Sequence, residues 1–360
     1  MGKLDGIRVV DLSQFLPGPM LTGMMADQGA TVIKVEPPSG DPARAQGPFE
    51  AGHSIWFRNL NRGKAAVTLD LKSSAGTAAL WSLLADADVL VEGFRPGVMA
   101  RLGFGYAEVA ARHPSIVYCS ISAFGQLGPM ADHPAHDMGV WAEAGLLALN
   151  DGADGVPVVP GVPASDMTAG LTGLAAVLMA LIGRARTGLG DYIDVSMLAT
   201  LLPWSAHIAG MAIAGGAAPR SAEQRSLGGA AFYNVYACAD GRHIVLCGRE
   251  EKFARILLTA LRRPDLLPLA AADPGPPQAP LRAFLAETFA ARLQAEWIDW
   301  FDGRGIAFAP VRDLADGLAR SGLVVTDGDG GHYISPAIRF ASEPAWQPLP
   351  VPGHEPARGS

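Results

Sequence analysis

A histidine, His136, and an aspartate, Asp166, are the side chains of this sequence best suited to acid–base chemistry. His136 follows a proline-containing loop, and Asp166 stands just before an apolar segment with helical character. An imidazole titrates near neutral pH and a carboxylate can also carry a proton, so two such groups on opposite sides of one substrate carbon could invert a stereocentre. Two plainer roles stay open: Asp166 could cap the helix that follows, and His136 could be an ordinary half-buried imidazole.

Basic side chains stand in short segments close to apolar runs. They include Arg95 and Arg101, Lys72, and the pair Arg62 and Lys64. Such side chains grip phosphates well, but the chain as a whole has a net charge of -7, so no overall basic field favours nucleic acid or an acidic membrane. The sequence therefore predicts a local anion site in an acidic protein; the alternative is a set of solvated charges near helix starts.

Strand-like and helix-like segments alternate through the first third of the chain, and they must position these side chains. The helix-like segments are residues 19–29 and 74–85; the strand-like segments are residues 6–12, 30–36, 66–71, 88–92 and 115–122. This alternation predicts an α/β fold with a parallel, doubly wound sheet, which binds ligands beyond the carboxyl ends of its strands. The loops after Leu12, Glu36, Glu92 and Ser122 are therefore the candidate binding loops.

The pattern changes in the second half of the chain. Residues 168–186 form a helix that is apolar nearly all round and should be buried on most sides. A strand at 191–195, a long helix at 197–213 and a small-residue linker follow. A hairpin about Asp240-Gly241 then opens a smaller α+β domain with helices at 251–261, 280–289 and 293–303.

Several function classes lack their signatures. The loop after the first strand is not GxGxxG, and no P-loop, GxSxG elbow or HExxH motif is present. The three cysteines, Cys119, Cys238 and Cys247, lack metal or disulfide spacing, and residues 1–6 lack the apolar stretch of a signal peptide. We therefore expect a cytoplasmic protein without a metal, a redox cofactor or a membrane span.

Taken together, these segments resemble the class III coenzyme A transferase and α-methylacyl-CoA racemase family along essentially the whole chain. The landmarks, which follow the family in order, are LDGIRVVDL at 4–12 with PGP at 17–19, GATVIKVEP at 29–37, NRGK at 61–64 with LDLK at 69–72, EGFRPG at 92–97, FGQLGP at 124–129, DMTAG at 166–170 and TGLGD at 187–191. Each motif alone is weak, but the ordered series is specific.

The resemblance implies a fold, an assembly and a ligand. It implies a Rossmann-like large CoA-binding domain at 1–190, a connecting helix and linker at 191–224, a small domain at 225–325 and a return to the large domain at 326–360. It also implies an interlocked homodimer. By this resemblance, the anion expected at the local basic site is the coenzyme A of an acyl-CoA thioester. The contacts carried over by position are Gln14, Phe15, Leu16, Leu69, Lys72, Gly93, Phe94, Arg95 and Arg101.

The two branches of the family use the same aspartate differently. In a racemase, His136 and Asp166 would exchange the α-proton through an enolate, and Glu250 would partner the histidine. In a transferase, Asp166 would be a nucleophile that forms acyl-anhydride and CoA-thioester intermediates. Residues 161–170 are more transferase-like, but His136 and the short chain favour an acyl-CoA racemase. A non-catalytic acyl-CoA-binding homologue is the third alternative.

Overall fold

The chain divides into two compact units, each with its own hydrophobic core. The computed structural model describes residues 2–152 and 154–353. In it the first unit comprises residues 2–147, 159–204 and 321–353, and the second comprises 205–320 together with the described residues of 148–158. The second unit is thus built from two stretches that interrupt the sequence of the first.

A parallel sheet forms the centre of the first unit. Among the described residues its strands are β1 (Arg8–Asp11), β2 (Thr31–Glu36), β3 (Ala65–Thr68), β4 (Val89–Glu92), β5 (Val117–Ser122) and β6 (Asp191–Ser196). Their order is β3-β2-β1-β4-β5-β6, and every neighbouring pair is parallel. This is the order of a Rossmann-type sheet, so the predicted α/β class is confirmed.

The strands form because their apolar residues are buried on both faces. Val9 and Val10 are adjacent in β1 and both inaccessible, as are Val89, Leu90 and Val91 in β4. Such continuous apolar runs are typical of parallel strands that are covered by helices on both sides. The order reverses at β1, because β2 lies on one side of it and β4 on the other, and the loops after β1 and β4 therefore flank a crevice.

Helices cover the two faces of this sheet. In the first unit they are α1 (Pro17–Asp27), α2 (Ile55–Asn61), α3 (Ser74–Leu84), α4 (Val98–Arg101), α5 (Tyr106–Arg112), α6 (Asp137–Glu143), α7 (Ala164–Thr187) and α8 (Met197–Leu201). Short 3-10 turns occur at Pro42–Ala45, Leu147–Leu149 and Leu202–Ser205, and short strand pairs at Phe49–Glu50 with His53–Ser54 and at Val324–Thr326 with His332–Ile334.

Helix α7 is long and apolar enough to cross a membrane, alone among the helices of the described residues. One side of it packs against α1 and β5. The other side leaves Met179 and Ile182 exposed by 71% and 64%. The prediction that this helix is buried on most sides is therefore wrong for a single chain, because the composition of a helix does not reveal which of its faces finds a neighbour.

The long helix predicted at 197–213 is interrupted. Helix α8 ends at Leu201, a 3-10 turn covers Leu202–Ser205, and the next helix, α9, is Gly210–Gly215. Pro203 stands at the interruption, where its ring excludes the backbone hydrogen bond that an α-helix would need. The boundary between the two units falls in this interruption, after Trp204.

The second unit is an antiparallel sheet with helices packed on it. The sheet consists of β7 (Tyr233–Ala237), β8 (His243–Cys247) and β9 (Phe308–Pro310), in the order β9-β8-β7. The hairpin between β7 and β8 confirms the turn at Asp240-Gly241. The other elements are the helices α10 (Glu251–Ala260), α11 (Leu267–Ala271), α12 (Ala279–Phe289), α13 (Gln294–Phe301) and α14 (Leu314–Ser321), with 3-10 turns at Ser221–Glu223, Pro264–Leu266 and Pro276–Gln278.

The described end of the chain lies against the early residues of the first unit. The carbonyl of Pro350 accepts a hydrogen bond from the Gly63 N–H at 2.8 Å. The carbonyls of Pro352 and Gly353 accept from the guanidinium of Arg44 at 3.0 and 3.2 Å. Arg44 also pairs with the buried Glu36 at the end of β2. The tail is therefore bound both to the segment before β3 and to the arginine that pairs with the end of β2.

Candidate active site

A cavity of about 640 Å³ opens at the carboxyl edge of the sheet, at the point where the strand order reverses. Its walls come from the loops after β1, β4 and β5, the segment before α6, residues of α6, and the first turn of α7. All of these belong to the first unit. Open α/β sheets bind ligands at this place, so the cavity is the candidate active site.

Asp166 lines the cavity from the first turn of α7. The helix begins at Ala164, and its N-cap residue, Pro163, makes no side-chain capping bond. The proposed capping role of Asp166 is therefore wrong: the residue lies inside the helix. The capping oxygen comes from Asp137, whose Oδ1 accepts from the Ser165 N–H at 2.7 Å and the Asp166 N–H at 3.2 Å. The Ser165 hydroxyl donates to the same oxygen at 2.5 Å.

The surroundings of Asp166 disfavour its charged form. Burial raises the pKa of the Asp166 carboxyl, and the nearby Asp137 carboxylate raises it further, to about 7. A carboxyl group with this pKa is divided between its two forms near neutral pH, and its ionised form is poorly solvated. It can therefore act either as a proton carrier or as a nucleophile.

His136 lines the same cavity from the residue just before α6. The ring is exposed and meets Phe15 edge-on, with ring centroids 6.3 Å apart. Its chain neighbour Asp137 is the residue that caps α7, so one short segment both presents the imidazole and fixes the start of the helix that carries Asp166. The structure thus brings the two predicted acid–base residues to one cavity.

The residues expected to contact coenzyme A fall into two groups. Gln14, Phe15, Gly93, Phe94 and Arg95 line the cavity. Leu16, Leu69, Lys72 and Arg101 do not line it; Lys72 and Arg101 are exposed side chains, and Leu16 and Leu69 are half-buried. The proposed contacts of all nine residues with CoA stay predictions. Only the first group has a place on the cavity wall.

Two of the basic residues are not available to an anion. Arg62 is paired with Asp27 at 2.8 Å, and Lys64 with Asp11 at 3.0 Å; all four side chains are almost completely buried. The local anion site inferred from the sequence therefore does not include Arg62 and Lys64, because both cations are already paired with buried carboxylates. Arg95 stands exposed at the cavity instead.

Glu92 is a functional candidate that is not among the site residues predicted from the sequence. It ends β4 and is buried, and its carboxylate accepts hydrogen bonds from the Ser120 hydroxyl and, at 2.7 Å, from the Phe94 N–H. Burial raises its pKa to about 7, against the lowering effect of those two bonds. Glu92 thus anchors the loop that carries Arg95. An acidic residue at the end of an apolar strand was the signal for it.

Glu250 belongs to the second unit. Its side chain is exposed and it is the N-cap residue of α10. The cavity is formed by the first unit, and the partnership of Glu250 with His136 stays a prediction. Among residues 2–152 and 154–353, no group of three or more His, Cys, Asp or Glu side chains is arranged to hold a metal ion.

Known proteins resemble the chain over most of its length. An acetyl-CoA:oxalate CoA-transferase from Acetobacter aceti is 36% identical over 88% of this chain and 82% of its own. A succinyl-CoA:glutarate CoA-transferase from Mus musculus is 32% identical, over 88% and 73% of the two chains. An alpha-methylacyl-CoA racemase from Homo sapiens is 32% identical, over 86% and 77%. Both branches of the resemblance therefore occur among the relatives.

Solved structures agree with the fold. A CAIB/BAIF family protein from Brucella suis superposes with a TM-score of 0.82 at 28% identity, covering 99% of this chain and 96% of its own. Rv3272 from M. tuberculosis gives a TM-score of 0.84 at 29% identity, over 99% and 98%. The family model described as CoA-transferase family III matches residues 4–354. Because that match spans nearly the whole sequence and the relatives agree with it, the chain belongs to CoA-transferase family III.

Proposed function

We propose that this protein is a CoA-transferase that moves coenzyme A from a donor thioester to a free carboxylic acid, with Asp166 as the nucleophile. The observation that carries the proposal is the carboxyl group of Asp166, which lines the cavity in surroundings that solvate its ionised form poorly. The transferases among the relatives support the same choice. The proposal replaces the racemase that the sequence favoured, while the cytoplasmic location remains part of it.

The reaction begins with attack on the donor thioester. A carboxylate oxygen of Asp166 adds to the thioester carbonyl carbon, the new C–O bond forms, and the C–S bond breaks with its electron pair leaving on the CoA thiolate. The product is a mixed anhydride between Asp166 and the acyl group. The thiolate then attacks the aspartyl carbonyl, which releases the first carboxylate and leaves CoA on Asp166 as a thioester.

The second half repeats these steps in reverse order. The acceptor carboxylate attacks the aspartyl thioester, expels the CoA thiolate and forms a second anhydride. The thiolate then attacks the acceptor acyl carbon of this anhydride. The new C–S bond forms, the bond from that carbon to the Asp166 oxygen breaks, and its electron pair regenerates the Asp166 carboxylate. No proton or electron is gained or lost overall, so the chemistry requires no redox cofactor.

Dicarboxylic acids are the acceptors that we propose first. Relatives carry the names of transferases for oxalate, glutarate and mesaconate, each paired with acetyl-CoA or succinyl-CoA. The cavity offers groups that suit a second carboxylate, since His133, His136 and Arg95 all line it. Arg95 also suits the phosphates of coenzyme A, because its guanidinium can bind two oxygens at once.

An acyl-CoA racemase is the second candidate. The observation that favours it is the presence of His136 on the cavity that Asp166 also lines. In that case each group would hold or remove a proton on one face of the α-carbon. The racemase among the relatives is consistent with this alternative.

One experiment separates the two candidates. The purified protein is incubated in D₂O with acetyl-CoA or succinyl-CoA, or with a 2-methylacyl-CoA, in the presence of oxalate or glutarate. Mass spectrometry then follows both the new CoA esters and the uptake of α-deuterium. We expect new CoA esters without rapid deuterium uptake. Deuterium uptake without any transfer would contradict the proposed function.

The substitution His136→Ala sharpens the same comparison. For a transferase we expect the intermediate on Asp166 to form still, with a loss smaller than the roughly 10²–10⁴-fold that a general acid–base residue contributes. For a racemase, deuterium exchange should disappear with the imidazole. A variant that loses CoA transfer as completely as one lacking Asp166 would show that the histidine takes part in the chemical step.

We further propose that the chain works as an interlocked homodimer. The exposed apolar side of α7, with Met179 and Ile182, supports this because monomeric proteins seldom leave large apolar side chains clustered in water. Size-exclusion chromatography with light scattering should give twice the mass of one chain. We expect Ile182→Glu to weaken the assembly, whereas Leu189→Glu, a change at an exposed leucine after α7, should not. A monomeric wild-type protein would contradict the proposal.

A further inference from the structure

A buried lysine lies beneath one wall of the cavity. The loop from Ser13 to Leu16 joins β1 to α1, and Ser13, Gln14 and Phe15 line the cavity. Lys34 extends from β2 and is completely buried. Its ammonium donates to the Ser13 carbonyl at 2.9 Å and pairs with Asp41 at 2.8 Å. A charged group that is removed from water in this way is costly unless it is fully paired.

The N–H and hydroxyl groups of Ser13 are also held by hydrogen bonds. Asp11 is inaccessible, and its Oδ1 accepts from the Ser13 N–H at 2.9 Å and from the Ser13 hydroxyl. Burial alone would raise the pKa of Asp11, but the charges of Lys64 and Lys34, together with hydrogen bonds from Ser13 and Thr22, outweigh it and lower the pKa to about 2. Asp11 is therefore a carboxylate at any working pH. Buried charges thus fix both polar backbone groups of Ser13.

This double attachment determines where the next N–H group points. A peptide bond is planar and trans, so the N–H of Gln14 points opposite to the carbonyl of Ser13, away from Lys34. Gln14 itself lines the cavity, and its N–H finds no acceptor among residues 2–152 and 154–353. Phe15 follows with φ of 62°, a left-handed conformation that is unfavourable for a bulky residue and needs the surroundings to impose it.

We propose that Lys34 is a positioning residue that aims the Gln14 N–H into the cavity as a donor for the oxygen that becomes negative during CoA transfer. When a nucleophile adds to the thioester carbonyl, the carbon–oxygen π electrons move to that oxygen, and they return when the C–S bond breaks. A fixed N–H donor stabilises this charge without having to reorient. The inference rests on the proposed function, since it assigns the donor to the same transfer step.

The ion pair with Asp41 explains why position 34 carries a positively charged side chain. Asp41 is itself held, because its N–H donates to Glu36 at 2.8 Å and Glu36 pairs with Arg44. The Lys34 ammonium is therefore held by Asp41, which is itself held by the Glu36–Arg44 pair at the end of β2. A neutral side chain at position 34 would leave the Ser13 carbonyl unpaired and free to turn, and the Gln14 N–H would turn with it.

The test uses a variant that removes the buried charges together. Lys34→Met alone would strand Asp41 as an unpaired buried charge and endanger folding. The double variant Lys34→Met/Asp41→Asn avoids this. We expect its affinity for the acyl-CoA to stay within about threefold and the rate of Asp166–CoA thioester formation in a single turnover to fall by on the order of 10²-fold, the usual effect of removing one such donor.

A matched control separates positioning from general stability. Asp27 and Arg62 form a second buried ion pair in the first unit and make no hydrogen bond to the loop from Ser13 to Leu16. The double variant Asp27→Asn/Arg62→Met should lose stability but keep the single-turnover rate within about threefold. Equal losses of rate in both double variants, or an unchanged rate in the Lys34 variant, would overturn the proposal.

Failure of the transferase proposal can be distinguished from failure of the inference about Lys34. If the wild-type protein forms no thioester on Asp166, the transferase proposal falls, whatever Lys34 does. The peptide orientation is then judged from crystal structures of the wild type and of the Lys34→Met/Asp41→Asn variant. A turned Ser13–Gln14 peptide in the variant supports the role of Lys34, and an unchanged peptide overturns it.

Discussion

Replacing Asp166 by asparagine should reduce CoA transfer by at least about 10³-fold, because an amide cannot attack the thioester and form an anhydride. The change keeps the size of the side chain and removes only the nucleophilic oxygen. Transfer is measured as the formation of a new CoA ester from isotopically labelled acceptor acid. Hydroxylamine should inactivate the wild-type protein only in the presence of the donor thioester and should modify the peptide that contains Asp166.

The control for this prediction is another carboxylate of the same cavity. Glu143 of α6 also lines it, and we expect Glu143→Gln to lose less than about tenfold in transfer rate, since it removes a charge but no reacting atom.

The stability of the Asp166→Asn variant provides a second check. Ionising a carboxyl whose folded pKa is raised costs stability, so Asp166→Asn should be at least as stable as the wild type above pH 7. A stable Asp166→Asn protein with near-normal transfer would refute the role of Asp166.

The second large effect concerns pH. Because the nucleophile is the ionised form of Asp166 and its pKa lies at about 7, the rate of intermediate formation should increase about tenfold per pH unit below that value and level off above it. The same raised pKa predicts that folding stability decreases as the pH rises from the ordinary aspartate value of 3.8 to about 7.

Asp137→Asn should move this profile to lower pH. The amide oxygen can still accept from the Ser165 N–H, so the start of α7 keeps its cap, but the negative charge that repels the Asp166 carboxylate is gone. Burial, the larger cause of the raised pKa, remains, and the midpoint should therefore stay above 3.8. The measurement is the single-turnover rate as a function of pH. An unchanged or raised midpoint would contradict the electrostatic account.

Local patterns carried the prediction of the sheet. The strands β1 and β4 could be located because their apolar residues are consecutive and end at polar ones, and in β2 only Lys34 interrupts the apolar run. The interruption at Pro203 shows where such patterns mislead. A run of helix-forming residues from 197 to 213 indicates a helix, but a proline within it lacks the N–H that continues one.

The site was predictable only in part. His136 and Asp166 could be singled out because their types suit chemistry and because they match family motifs. Asp137 and Lys34 could not, since their importance comes from partners that are distant in sequence: Asp137 reaches Ser165, and Lys34 reaches Ser13. Residue type alone does not distinguish such a buried, paired charge from a solvated one.

The attachment of the tail has a consequence for biosynthesis. Chain synthesis is directional, so residues 350–353, which bind Gly63 and Arg44, leave the ribosome after both stretches of the second unit. Gly63 and Arg44 of the nascent first unit therefore lack these partners while the whole of the second unit is made and becomes able to fold. A chain released before residue 350 would leave the Gly63 N–H and the Arg44 guanidinium without the carbonyl groups that accept from them.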